Sequence, residues 1–139
     1  MIAKLSCGLF SLVLFHTAAH AVCEGNGLNP ARLDDFAGKT VSFNCERDCE
    51  PWMTATAVDW HETHLAGGGL VEVGTGTTGL QPTESVGTWD VVPNNREICY
   101  QYTGDGAYCY KVYGPIPVAS GSSYEFCDGS GLKATGTVD

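Results

Sequence analysis

Within Asp59-Trp60-His61-Glu62-Thr63-His64 stand two histidines, two acids and an indole. A zinc hydrolase sets two histidines four apart on one helix face, with a glutamate between them as general base. Here the second histidine comes one residue early. In a strand, His61 and His64 point to opposite faces. The segment therefore reads as a polar loop, with adventitious Zn²⁺ or Cu²⁺ as the only metal chemistry it suggests. Glu46, Asp48 and Glu50 flank Cys45 and Cys49, but the spaced acidic loop with its central glycine that Ca²⁺ requires is absent. That acidic stretch reads as a solvated loop that steers basic partners.

Nucleophilic catalysis finds no support. There is no G-x-S-x-G, and the two histidines beyond residue 21 share one short segment. Hydrolysis by paired carboxylates depends on which acids the fold brings together. No cofactor or metal is implied. The chemistry points to binding rather than catalysis.

The elements that position these residues begin with a leader. Lys4, the apolar run Leu9 to Phe15 and Ala19-His20-Ala21 form the three regions of a secretory signal peptide spanning 1–21. The apolar run is far shorter than the ~18 residues of a membrane span. Cleavage would leave one domain, 22–139, in a secreted or periplasmic setting. Of the seven cysteines, Cys7 leaves with the leader. Cys23, Cys45, Cys49, Cys99, Cys109 and Cys127 remain, an even set that reads as three disulfides. Paired C-x2-C knuckles for zinc are lacking.

The chain has 139 residues, 18 of them glycine, with 17% charged residues and a formal net charge of −9. Such glycine content, well above the usual ~7%, favours a turn-rich fold over a helical bundle. The acidic balance excludes nucleic acid as partner. Asn29-Pro30 caps and starts a short helix that Gly38 ends, with Leu33 and Phe36 on one face. Period-2 alternation follows: Val41 to Cys45, Met53 to Trp60, Leu70 to Val73, Gly87 to Val91, Ile98 to Tyr102, Tyr108 to Val112, Tyr124 to Cys127 and Leu132 to Val138. Gly/Pro/Asn/Asp turns separate most of these runs, and Gly74 to Thr83 reads as a loop. The expectation is an all-β, roughly eight-stranded antiparallel meander barrel with a short N-terminal helix, stapled by disulfides.

A turn at Gly104-Asp105-Gly106 sets Cys99 beside Cys109 on the outer face of one hairpin. Cys45–Cys49 and Cys23–Cys127 are then the remaining pairs. The inward faces carry Trp89, Tyr100, Tyr102, Tyr108, Tyr110 and Phe126, which either fill the core or line a ligand cavity.

Gly87-Thr88-Trp89, Cys99-Tyr100, Tyr108-Cys109-Tyr110 and Tyr124 to Phe126 resemble small exported bacterial proteins with lipocalin-like barrels, most of unassigned function. Separately, Val118-Ala119-Ser120-Gly121-Ser122-Ser123-Tyr124 resembles the S-G-x-x-Y segment of periplasmic C-type lysozyme inhibitors. That resemblance implies contact with a lysozyme cleft through Ser120 and Lys133, with Ser122, Ser123 and Tyr124 beside them. Two functions follow as expectations: a protein-binding inhibitor whose acidic surface meets a basic partner such as lysozyme, or a carrier of a small apolar ligand. A carboxylate hydrolase stands third.

Overall fold

A computed structural model describes residues 23–48, 60–76 and 79–139. Eight antiparallel strands close into a barrel in which each strand pairs with its chain neighbours and the last pairs with the first. They are β1 Thr40–Cys45, β2 Trp60–His64, β3 Gly69–Gly76, β4 Gly79–Val92, β5 Glu97–Tyr102, β6 Ala107–Tyr113, β7 Ser123–Asp128 and β8 Gly131–Val138. The expected barrel is the observed one. Closure leaves every strand with two partners.

The helix forms as its caps dictate. Asn29 accepts the backbone N–H of Arg32 at 3.1 Å, Pro30 opens α1 (Pro30–Leu33), and a 3₁₀ turn, Asp34–Phe36, continues it. Gly38 then leaves with φ of +77°, a conformation that costs glycine nothing. Leu33 and Phe36 are both fully buried. They pack with Val41, Leu70, Val112, Tyr124 and Val138 and so plug the barrel end where β1 and β7 begin. Burial of side chains this large stabilises by about 1.5–3 kcal/mol each. Gly136 makes room for the layer above. A β-carbon there would meet Val41 Cγ1 at 2.7 Å and Phe126 Cε2 at 2.8 Å.

Two expectations are corrected. Met53 to Trp60 was expected to be a strand, with the histidine segment as a loop; β2 instead begins at Trp60 and runs through that segment. Residues 53–59 lie outside the described residues. Trp60, Glu62 and His64 face inward while His61 and Thr63 face outward, so the alternation is real but its inward members are mostly polar. Gly74 to Thr83 was expected as a loop; Gly74 to Gly76 and Gly79 to Thr83 instead extend the β3–β4 ladder, with Gly74 opposite Gln81 and Thr75 opposite Leu80, while residues 77 and 78 lie outside the described residues. The β-branched Thr75 and Thr83 favour extended backbone, against the glycines that suggest a loop.

Cys99 and Cys109 stand opposite each other in register and are bonded, and Cys23 is bonded to Cys127. Cys45 is disulfide-bonded too; Cys49, its expected partner, lies outside the described residues, as does the leader 1–21. Among the described residues no helix is long and apolar enough to cross a membrane.

Candidate functional site: an acidic aromatic cup at the open barrel end

The interior narrows to packed side chains at the plugged end and opens at the other, where β2, β4, β6 and β8 begin. There a cup of about 320 Å³ is walled by Trp60, Tyr102, Tyr108 and Tyr110, with Val86 on one side. Three acids share it: Glu62, Glu72 and Asp105. Beneath lies a recess of about 50 Å³ bounded by Phe43, Tyr100, Phe126 and Ala134, with Lys133 at its edge. The eight residues that line the cup include no Lys, Arg or His.

Register explains the convergence. Glu62 on β2 stands directly opposite Glu72 on β3, and both point inward. β5 brings Tyr100 and Tyr102 to the same wall, and the β5–β6 register sets Tyr108 opposite Tyr100 and Tyr110 opposite Ile98. The rings brace one another. Trp60 stacks on Phe43 with centroids 5.1 Å apart, and Tyr102 meets Tyr108 edge-on at 5.9 Å.

Glu62 is only 4% exposed. Its carboxylate accepts the Tyr102 hydroxyl at 3.1 Å. Burial pushes this carboxyl up to about 7; hydrogen bonds from Tyr102 and Trp60 oppose the rise, and the charge of Glu72 adds to it. Burial likewise raises the Tyr102 and Tyr100 hydroxyls, and Tyr110 to about 12, so these phenols stay protonated as donors. Asp105 is different. It sits on the rim, where the Gly106 N–H and the Tyr108 hydroxyl hold its carboxyl below the usual range. One acid is thus buried and tunable while another is exposed and fixed in its charged form.

The expected cavity residues divide. Tyr102, Tyr108 and Tyr110 wall the cup, and Tyr100 and Phe126 form its floor. Trp89 does not belong: it lies at the plugged end, packs against His64 and donates its indole N–H to Leu65 O at 2.9 Å. Period 2 put it on the inward face but said nothing of its depth along the axis.

The expected protein-binding residues also divide. Ser120 and Ser123 are exposed at the plugged end, beside the turn at Gly121, and Ser122 is half-buried. Tyr124 is a core residue, 1% exposed, packed edge-on against Phe36, with its hydroxyl donated to Pro115 O at 3.1 Å. Lys133 belongs to the open end, where its ammonium donates to the carbonyls of Arg47 and Asp48. Ser123 pairs with Thr137, and Lys133 is four residues further down β8, about 13 Å at a strand's rise. The fold thus sets Ser120 and Lys133 at opposite ends.

Other constellations resolve into structural roles. His61 faces outward, and the Ser42 hydroxyl lies 2.6 Å from its Nδ1 and 2.6 and 2.8 Å from the Asp139 carboxylate oxygens. In a catalytic relay the histidine stands between serine and acid and uses both ring nitrogens. Here the serine stands between histidine and acid, and the cluster clamps β1 to β2 and to the end of β8. His64 faces inward, fully buried, with Nε2 2.9 Å from the Tyr100 hydroxyl; burial lowers it to about 4. The two histidines therefore form no metal pair. Glu46 accepts from Thr135 Oγ1 and Asp48 pairs with Arg47, while Glu50 lies outside the described residues. Glu97 lies beside Cys99 and Cys109, but both sulfurs are spent in a disulfide. A larger hollow of about 580 Å³ lies on the outside of β6–β8. Its one charged side chain, Glu125, accepts the backbone N–H of Cys23.

Trp60 and Glu62, read from sequence as part of a polar loop, and Glu72, Asp105 and Val86 were not anticipated as cavity residues. The signal for Glu72 was its place on a strand opposite Glu62, which needs the register. No protein-family model, curated protein or solved structure matches this chain.

Proposed function

We propose that this chain is an exported, non-enzymatic binding protein that holds a small molecule in the open end of its barrel. One observation carries the reading: the barrel is plugged at one end and opens at the other onto a cup walled by four aromatic rings over a buried acid. Its size is at the small end of ligand pockets, suited to one or two rings. The disulfides support an oxidising destination. The test is a thermal-shift screen of one- and two-ring compounds against the wild type and Val86→Trp, which fills the cup. A ligand at a hundred times its Kd stabilises by about 2.7 kcal/mol. Hits should be lost in Val86→Trp and kept in Lys39→Ala. Hits that survive the filled cup would refute the site.

A second reading is the protein-binding inhibitor. The exposed Ser120–Ser123 turn and the acidic net charge favour it. Since Lys133 is engaged by two carbonyls at the far end, the contact would fall on the serine turn alone. Muramidase turnover at low salt tests it: inhibition at micromolar protein that Ser120→Asp relieves supports this reading, and full turnover removes it.

A further inference from the structure

The cup's chemistry narrows the ligand class, and the narrowing rests on the small-molecule reading above. Four aromatic rings line the cup, and an aromatic ring attracts a cation through its quadrupole. Three carboxyl groups add to that field, and no lining side chain opposes it. Lys133, the nearest cation at the recess below, has its ammonium held by backbone carbonyls. An anion would meet repulsion from Glu72 and from Asp105, whose charge is fixed at the rim. A neutral apolar ligand would offer the buried Glu62 carboxyl neither a charge nor a hydrogen bond beyond the one it has from Tyr102. We propose that the cup binds an organic ammonium, a protonated amine or quaternary nitrogen on an aromatic body, with the ring among Trp60, Tyr102, Tyr108 and Tyr110 and the nitrogen beside Glu62.

The arrangement has an order. Asp105 is exposed and draws the cation to the mouth, and Tyr108, 39% exposed, offers the first ring. Glu62 waits at depth, held by the Tyr102 hydroxyl. It is faced by Glu72 from β3, Tyr102 from β5, Tyr110 from β6 and Trp60 from its own strand. Since burial keeps Glu62 partly protonated near neutrality, seating a cation displaces its proton. Uptake should release protons at pH 6.5 and strengthen toward pH 8.

Three probes of one shape test this by calorimetry at pH 8: tryptamine, a cation; tryptophol, its neutral counterpart; and indole-3-acetate, an anion. Tryptamine should bind at least tenfold tighter than tryptophol, with indole-3-acetate weakest. Glu62→Gln should remove most of the advantage of tryptamine over tryptophol, the rest staying with Glu72, Asp105 and the rings, and tryptophol should still bind, which certifies the fold. Asp105→Asn, at the exposed rim, should weaken tryptamine by a smaller factor and leave tryptophol binding in place. At pH 6.5 the heat of tryptamine binding should vary with the ionisation enthalpy of the buffer. Equal affinity for tryptamine and tryptophol would overturn the cation inference while the cup reading stands. A tryptamine preference unaltered in both variants would overturn the assignment of these acids. Absence of heat from all three probes at millimolar concentration would overturn the cup reading and this inference together.

Discussion

Glu62 and His64 lie two residues apart on the inner face of β2, and burial moves them in opposite directions. Glu62 rises from 4.5 to about 7, and His64 falls from 6.5 to about 4. Between pH 4.5 and 7 the folded state holds the Glu62 proton that the unfolded state has lost. Stability from this group is therefore full below pH 4.5 and falls as pH rises to about 7. Between pH 4 and 6.5 the unfolded state holds the His64 proton that the folded state rejects, so that contribution rises with pH. Each slope approaches about 1.4 kcal/mol per pH unit. Across the shared window of pH 4.5 to 6.5 the two cancel, and these groups leave the wild type nearly flat. Glu62→Gln exposes the hidden slope. Glutamine mimics the protonated acid and keeps an oxygen for Tyr102. The variant should match the wild type near pH 4.5 and exceed it by on the order of 3 kcal/mol at pH 8. The assay is urea unfolding with disulfides intact at pH 4.5, 5.5, 6.5 and 8, reading the midpoint at constant m. A difference between variant and wild type that does not change with pH would refute the reasoning. It would mean that Glu62 titrates as if in water and that the cup does not bury it.

Gly136→Ala should destabilise by about 1–3 kcal/mol in thermal unfolding, because its methyl enters the space of Val41 and Phe126. Peptide mapping of the non-reduced protein should recover Cys23–Cys127 and Cys99–Cys109. Removing the first, which closes a separation of 104 residues, should cost about 2 kcal/mol more than removing the second, which closes 10. Tyr124→Phe should cost about 1 kcal/mol by freeing the carbonyl of Pro115 from its buried donor, measured by urea midpoint.

The barrel was legible because six of its strands carry apolar residues at every second position, such as Ile98, Tyr100 and Tyr102 facing in around Cys99 and Gln101. The outer-face cysteines followed from the same period. β2 was not legible because Trp60, Glu62 and His64 break the apolar rule that identifies an inward face. The residues that hide the strand are the ones that give the cup its acid. The β3–β4 hairpin was obscured by glycines that weaken the alternation. Depth along the axis was also beyond period 2. Trp89 and Tyr102 share an inward face, yet one seals the plug and the other walls the cup. Lys133 and Ser120 looked like neighbours through a spacing along the chain that the β7–β8 hairpin carries to opposite ends.

The seam between β1 and β8 joins Val41 to Val138 and Cys45 to Ala134. A ribosome emits β1 first and β8 last, so β1 waits through nearly the whole of synthesis with one side unmatched. The thiol of Cys23 waits almost as long for Cys127. Without β8 the barrel cannot close, and β1 and β7 are each left with an unpaired flank. The eight-residue β8 is therefore the element on which closure of the whole barrel waits, whatever the order in which the other strands pair.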